Sequence, residues 1–148
     1  MKVLFRIVVI FCILSLILSS CKGKPDPPVI GCGPRSLAKI LELMGRDVDV
    51  RELARLAGAD GKGWTSMYGL AQAAKAYGLE AVGYRLSLEE LKDIHLPAIA
   101  HVKGDHFVVL LSCGSSYVRI IDNDRQLDMS ISDFARMWDG TVLVVREL

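Results

Sequence analysis

The sequence predicts an α+β fold in which N-terminal helices pack on a C-terminal antiparallel sheet. Apolar residues recur at helical spacing between Leu37 and Met44, and again between Met67 and Tyr77. From residue 79 onwards, short segments rich in β-branched residues alternate with Gly, Asn or Asp. Because the helices come first and the strands follow with short links, we expect the sheet to be antiparallel and separate from the helices.

The first helix is predicted to begin at Pro34 and to end before Gly45. Proline suits the first helical position because the N–H that it lacks has no partner there. Leu37, Ile40 and Leu41 would form the buried stripe of this helix.

Two more helices are predicted before the sheet. Asp49 and Glu52 have the spacing of a capping box at the start of the second helix. Thr65 or Ser66 is expected to open the third helix, and Gly78 to end it. Nearby Trp64 and Tyr68 are expected to pack around the core, with a place in a cleft as the alternative.

The second half of the chain is predicted to hold five strands, over EAVGYRL, PAIAHV, HFVVLLSC, YVRIID and TVLVVREL. A short helix capped by Ser87 and Glu90 would link the first two strands. A further helical turn, capped by Ser132 and running to Trp138, would precede the last strand.

The N-terminal segment has the composition of a secretory signal: Lys2 and Arg6, an apolar run to Leu18, and then LSSC. It resembles the signal of bacterial lipoproteins, which implies cleavage before Cys21 and lipidation of its sulfur. We therefore expect a signal over 1–20, a tether over 21–28 and a domain over 29–148. The lipid would anchor the domain to a bacterial membrane, on the side that faces away from the cytoplasm. An ordinary signal or an uncleaved anchor with an incidental cysteine is the alternative.

Charge and cysteine usage limit the functions that this domain can have. The net charge of +1 gives no electrostatic reason to expect nucleic-acid binding. Cys32 and Cys113 fall in the predicted domain, and in an oxidising compartment they are either free or paired. His101, Asp105 and His106 match no metal motif, so no metal or other cofactor is expected.

The most informative stretch is GCGP, which places Cys32 at the tip of the first helix between Gly31 and Gly33. Free N–H groups and the helix dipole stabilise a thiolate at such a position. His106 begins one predicted strand and Asp122 ends the next, so the two side chains are expected to meet across an antiparallel pair. That relation suits a carboxylate that orients a catalytic imidazole, although the DND sequence is also typical of a turn.

The order of these residues resembles the papain-like C39 peptidases. The resemblance covers CGPRSLAKIL, GWTSMYGLAQAAKAYGLEA, LPAIAHVKGDHFVVL, VRIIDND and FARMWDGTVLVV. It implies a cysteine peptidase with Cys32 as nucleophile, His106 as general base and Asp122 as the residue that orients it. It also implies that the substrates are secreted peptides, typically with a double-glycine leader, and that any ABC transporter is a separate partner.

Two positions depart from the pattern of that family. Its usual oxyanion Gln, six residues before the cysteine, is Asp26 here, and its acidic residue before the cysteine is Gly31. Loss of one oxyanion donor typically slows catalysis by about 10²- to 10³-fold. A lipoprotein that binds peptides without cutting them is therefore the alternative function.

Overall fold

Six antiparallel strands form one sheet in a computed structural model that describes residues 29–148. The strands are β1 (Leu79–Arg85), β2 (Ala98–Val102), β3 (His106–Cys113), β4 (Tyr117–Asp122), β5 (Arg125–Ser130) and β6 (Trp138–Glu147). Their order across the sheet is β1-β6-β2-β3-β4-β5. The predicted signal and tether lie outside the described residues. Within 29–148, no helix is long and apolar enough to cross a membrane.

Over residues 29–148, three helices precede the sheet and two short ones interrupt it. They are α1 (Cys32–Leu43), α2 (Val50–Leu56), α3 (Met67–Ala76), α4 (Leu88–Leu91) and α5 (Ile131–Met137). The predicted start of α1 at Pro34 is wrong by two residues, because the helix begins at Cys32 with Gly31 as its N-cap. Proline is still tolerated as the third residue, since the N–H groups of the first turn need no intrahelical acceptor.

Side-chain caps fix where the other helices begin. The Ser66 hydroxyl accepts from Gly69 N–H at the start of α3, and Ser87 and Glu90 form the predicted capping box of α4. Asp49 caps α2, but Glu52 bonds to Arg55 and completes no box.

The predicted cap of α5, Ser132, is wrong. Ser130 is the N-cap, and its hydroxyl accepts from Asp133 N–H at 3.1 Å.

The sheet separates two apolar clusters. One lies between the sheet and helices α1 to α3, and it contains Leu37, Ile40, Leu41, Leu53, Leu70, Phe107 and Val109. The other lies on the opposite face under α4 and α5, and it contains Leu91, Val108, Leu110, Phe134 and Trp138. This arrangement confirms the predicted α+β fold. Trp64 and Tyr68 do not pack in either cluster, since 53% and 74% of their surfaces are exposed.

A hydrogen bond ties α1 to the start of β3. The Ser36 hydroxyl donates to the Phe107 carbonyl at 3.2 Å in a buried position. Ser36 lies one helical turn after Cys32, and Phe107 directly follows His106. The fold therefore fixes the N-terminal turn of α1 beside the strand end that carries His106.

Candidate active site

Cys32 is the first residue of α1 and is partly buried. The N–H groups of Cys32 and Gly33 have no carbonyl acceptor one turn earlier in the helix, and Pro34 has no N–H. The N-terminus of α1 therefore presents two unpaired backbone donors next to the sulfur. Such donors and the helix dipole favour negative charge, on a thiolate or on an oxyanion formed nearby.

The glycine before the cysteine is required by a close backbone contact. A Cβ added to Gly31 would lie 2.0 Å from the carbonyl oxygen of Gly63, which is far inside contact distance. Gly63 itself has a φ of 82°, a left-handed conformation that favours glycine. The two loops meet through backbone alone, so no side chain fits at position 31 between them.

His106 and Asp122 form the predicted pair. Nε2 of His106 lies 2.7 Å from Oδ1 of Asp122, and about three-tenths of each side chain is exposed. The register pairs Val109 with Ile121, so Asp122 falls two residues from His106 across the strand pair. Since the carboxylate accepts a hydrogen bond from Nε2–H, neutral His106 carries its free lone pair on Nδ1. Nδ1 is then the nitrogen available as a base.

Among the described residues, Cys32 forms no hydrogen bond with His106 or Asp122. A small cavity beside the thiol is lined by Phe107 and Asn123, the chain neighbours of His106 and Asp122. The structure thus places Cys32 in one small cavity with the chain neighbours of His106 and Asp122. Contacts between a nucleophile and its base are often loose before substrate binds.

A larger cavity of about 220 Å³ opens on the other side of the thiol. Four of its lining residues are glycines, at positions 31, 33, 63 and 104, and its side chains come from Cys32, Lys62, Trp64, Thr65, Asp105 and Phe107. Glycine walls let a substrate backbone approach closely. A second cavity, of about 310 Å³, shares Trp64, Thr65, Asp105 and Phe107 with the first. The two cavities are therefore neighbours, and we refer to them together as the cleft; Cys32 lines only the first.

His101 is bound by the carboxylate of Asp139, a contact that was not predicted from the sequence. Its Nδ1 is hydrogen-bonded to Asp139 at the start of β6, while Nε2 lies 3.8 Å from Asp105. Burial opposes the charge on Asp139, but hydrogen bonds from His101 and Thr141 outweigh it and hold the pKa of Asp139 below its usual value. The ring of His101 packs against Phe107 with centroids 5.0 Å apart. Within residues 29–148, no group of three or more His, Cys, Asp or Glu side chains has the geometry to hold a metal ion.

Both described cysteines are free. Cys32 packs against the cluster under the helices, whereas Cys113 packs against the cluster on the opposite face. The sheet lies between them, so the alternative of a disulfide does not fit this fold. Burial raises the pKa of the Cys113 thiol, which makes it a poor nucleophile at neutral pH.

The fold is an α+β domain with a thiol at the start of its first described helix and a His–Asp pair on neighbouring strands of its sheet. The chain belongs to the Peptidase C39 family, whose model matches residues 30–147. It is 36% identical over 115 residues to an uncharacterized protein of Methanothermobacter thermautotrophicus, covering 77% of this chain and 80% of that one. It is 32% identical to the probable functional amyloid protease FapD of Pseudomonas aeruginosa, covering 77% of this chain and 55% of that protein.

The structural comparison agrees with the family. The chain superposes with a TM-score of 0.74 and 29% identity on a double glycine motif protease from an AMS/PCAT transporter, solved with the leader peptide. That likeness covers 86% of this chain and 96% of the other. The cysteine peptidase type of fold is therefore established for this chain.

Some residues that shape the cleft were not predicted from the sequence. Lys62 belongs to a loop whose path depends on tertiary contact with Gly31. Trp64, in the same loop, lines the cleft, which was predicted only as the alternative to a place around the core. The GADGKGW stretch gives a turn signal, but spacing alone does not indicate that this turn faces Cys32. The pairing of His101 with Asp139 also depends on β2 lying beside β6, which the sequence does not reveal.

Proposed function

We propose that this protein is a cysteine peptidase that hydrolyses peptide bonds in secreted or exported peptides. The observation that carries the proposal is the His106–Asp122 pair, whose chain neighbours Phe107 and Asn123 line the small cavity at Cys32. Membership of the Peptidase C39 family supports the same chemistry.

The reaction follows from the positions of the three side chains. Nδ1 of His106 takes the thiol proton of Cys32, and the sulfur attacks the peptide carbonyl carbon. The oxyanion forms near the unpaired N–H groups of the first turn of α1. His106 then gives the proton to the leaving amine as the C–N bond breaks. Water, deprotonated by the same imidazole, hydrolyses the thioester and regenerates the thiol.

Asp122 acts through His106 in this scheme. Its carboxylate keeps the proton on Nε2 and the ring in one orientation, and it stabilises the imidazolium that forms. No step requires a metal or another cofactor.

Double-glycine leaders are the substrate class that we favour. The cavity at Cys32 is lined by four glycines, which let the backbone of a substrate with small side chains approach the thiol closely. The likeness to a double glycine motif protease with bound leader peptide supports the same substrate. A separate ABC transporter that exports the peptide would be the natural partner.

The proposal includes attachment to a membrane outside the cytoplasm. Cys21, following LSS at the end of the apolar segment, would carry the lipid. Each buried CH₂ of an acyl chain contributes about 0.8 kcal/mol to membrane binding. The KGKPDPP segment after Cys21 is polar and proline-rich, as a stiff spacer would be.

A peptide-binding lipoprotein without catalytic activity is the second candidate. It is favoured by the lack of a hydrogen bond between Cys32 and His106 within the described structure and by the absence of Gln between Cys21 and Cys32. Such a protein would use the same cleft and the same anchor, so a test of cleavage separates the two candidates.

The test is peptide cleavage by the wild-type protein and by Cys32→Ala. Peptides containing Gly-Gly are compared with the same peptides carrying Ala-Ala, and the products are identified by mass spectrometry. We expect cleavage after Gly-Gly by the wild type only. Binding of the Gly-Gly peptide to both proteins without cleavage would favour the second candidate, and cleavage that survives in Cys32→Ala would contradict the role of Cys32.

A further inference from the structure

The loop over residues 60–64 is held rigidly against the start of α1. The carboxylate of Asp60 accepts from the N–H groups of Lys62 and Trp64 at 2.8 and 2.9 Å. Backbone bonds from Asp60 to Trp64 and from Gly63 to Asp60 close the same loop. Contact between Gly63 and Gly31 then places the loop directly beside the residue that precedes Cys32.

This loop brings a cationic side chain to the cavity that contains the thiol. Lys62 lines that cavity together with Cys32. Lys62 forms no salt bridge with any carboxylate among the described residues, whereas Lys39 and Lys92 pair with Glu42 and Glu89. Lys62 is also an exposed residue. Its ammonium group is therefore free to turn towards a negative charge in the cavity.

The other polar side chains of the cavity are less suited to that task. The Thr65 hydroxyl donates to the Ala57 carbonyl at 2.9 Å, so its proton is already committed. Trp64 offers only an uncharged indole N–H. Asp105 is acidic, and 71% of its side chain is exposed at the rim. Lys62 is the one cation among the residues that line this cavity.

We infer that Lys62 is a further catalytic residue, whose ammonium stabilises the oxyanion that forms when Cys32 attacks the substrate carbonyl. Hydrogen bonds to charged groups are roughly twice as strong as neutral ones, so a lysine is an effective donor to such an oxygen. Two backbone N–H groups and one ammonium would then share the developing charge. This inference rests on the proposed role of Cys32 as nucleophile.

An anionic alkylating reagent tests the inference without any peptide substrate. The rates at which Cys32 reacts with iodoacetate and with neutral iodoacetamide are measured on the full-length protein at pH 7 and about 10 mM ionic strength, where the Debye length is about 30 Å. Mass spectrometry of the peptide containing Cys32 separates it from the other cysteines. The ratio of the two rates reports the positive potential at the sulfur. The intrinsic reactivity of the thiolate affects both rates alike, so it cancels in the ratio.

We expect Lys62→Met to lower the iodoacetate to iodoacetamide ratio by about threefold or more, because the reagent loses the attraction of the ammonium. Lys62→Arg keeps the charge and should keep the ratio within about twofold. Asp105→Asn should raise the iodoacetate to iodoacetamide ratio, because it removes a negative charge from the cavity. Lys39→Met is the matched control: Lys39 lines the smaller cavity at Cys32, but Glu42 neutralises it.

An unchanged ratio in Lys62→Met, or an equal fall in Lys39→Met, would overturn the inference. On a peptide that the wild type cleaves, Lys62→Met should lower kcat about tenfold with little change in KM, and Lys62→Arg should restore most of it. A wild type that cleaves no peptide contradicts the proposed function, whereas the alkylation ratio still decides whether Lys62 acts on charge at the sulfur.

Discussion

The imidazole of His106 is held at one nitrogen and open at the other. Asp122 binds Nε2, which leaves Nδ1 free, and in the proposed mechanism Nδ1 accepts the proton from the partly buried thiol of Cys32. His101 is held through its other nitrogen, since Asp139 binds Nδ1. The two histidines on neighbouring strands thus have different free atoms, and the chain neighbours of His106 and Asp122, Phe107 and Asn123, line the small cavity at Cys32.

Replacement of Asp122 should separate two effects of its carboxylate on His106: the orientation of the imidazole and the negative charge beside it. We expect Asp122→Ala to slow alkylation of Cys32 by iodoacetamide at pH 6 by about tenfold or more, because the imidazole loses its fixed tautomer. Asp122→Asn still offers an oxygen acceptor to Nε2–H and should lose less than Asp122→Ala. Equal losses in both variants, measured on proteins with matching melting temperatures, would contradict a positioning role.

At the scale of elements, the junction of α1 with the loop over 60–64 sets the position of the nucleophile. Because a side chain at residue 31 would meet the Gly63 carbonyl, the first turn of α1 cannot shift without breaking this contact. The C39 pattern has an acidic residue before the cysteine, and the contact with Gly63 is a local steric reason for glycine at that position here. The first turn of α1 contains no acidic residue either.

Gly31→Ala is expected to destabilise the protein by about 1–3 kcal/mol, since overpacking forces the backbone to move. Gly61→Ala is the matched control, because a Cβ there meets nothing within 4 Å. Thermal unfolding followed by circular dichroism measures both variants. Equal melting temperatures for Gly31→Ala and the wild type would show that the loop yields freely and that the junction does not position Cys32.

Elements that bury an apolar face were predicted from the sequence, and those that do not were missed. Strands β3 and β4 match the predicted HFVVLLSC and YVRIID. Strand β5 was not predicted, because RQLDMS is polar and its first four residues are exposed. The cap of α5 was misplaced for a related reason: Ser130 and Ser132 are both good capping residues, and only the end of β5 at Ser130 decides between them.

The candidate site shows the same division. Cys32, His106 and Asp122 were predicted because each lies at the end of a periodic element, where topology brings ends together. Lys62 and Asp139 were missed because they lie in a loop and at a strand start whose neighbours depend on the register of the whole sheet.

At the scale of the whole molecule, the sheet separates one of the two apolar clusters from the cleft. The cluster around Phe134 on one face makes no part of the cleft, whereas Phe107 on the other face belongs both to the core and to the cavities. Asp139 links strands β2 and β6 at the end of the cleft through its bonds to His101 and to Thr141 N–H, the latter at 2.9 Å.

Stability should fall in acid partly through Asp139. Its pKa is lower in the folded chain than in the unfolded one, so it contributes stability above the unfolded value of about 3.9 and loses it as pH falls through the folded value. We expect Asp139→Asn to lower the unfolding free energy by about 1 kcal/mol at pH 7 and by less below about pH 4. Asp47→Asn, at an exposed carboxyl with no described hydrogen bond, is the control in urea titrations at each pH. A constant difference between Asp139→Asn and the wild type from pH 3 to 7 would contradict the assignment.

The central claim is that the imidazole of His106 ionises the thiol of Cys32, and the rate of alkylation tests it most directly. Cys32 is treated with iodoacetamide from pH 5 to 9 in the wild type and in His106→Ala, with Cys113 in the same protein as an internal reference. We predict fast modification of Cys32 at pH 6 in the wild type, a loss of at least tenfold in His106→Ala, and slow modification of Cys113 in both. Equal rates for Cys32 in the two proteins across this range would contradict the account.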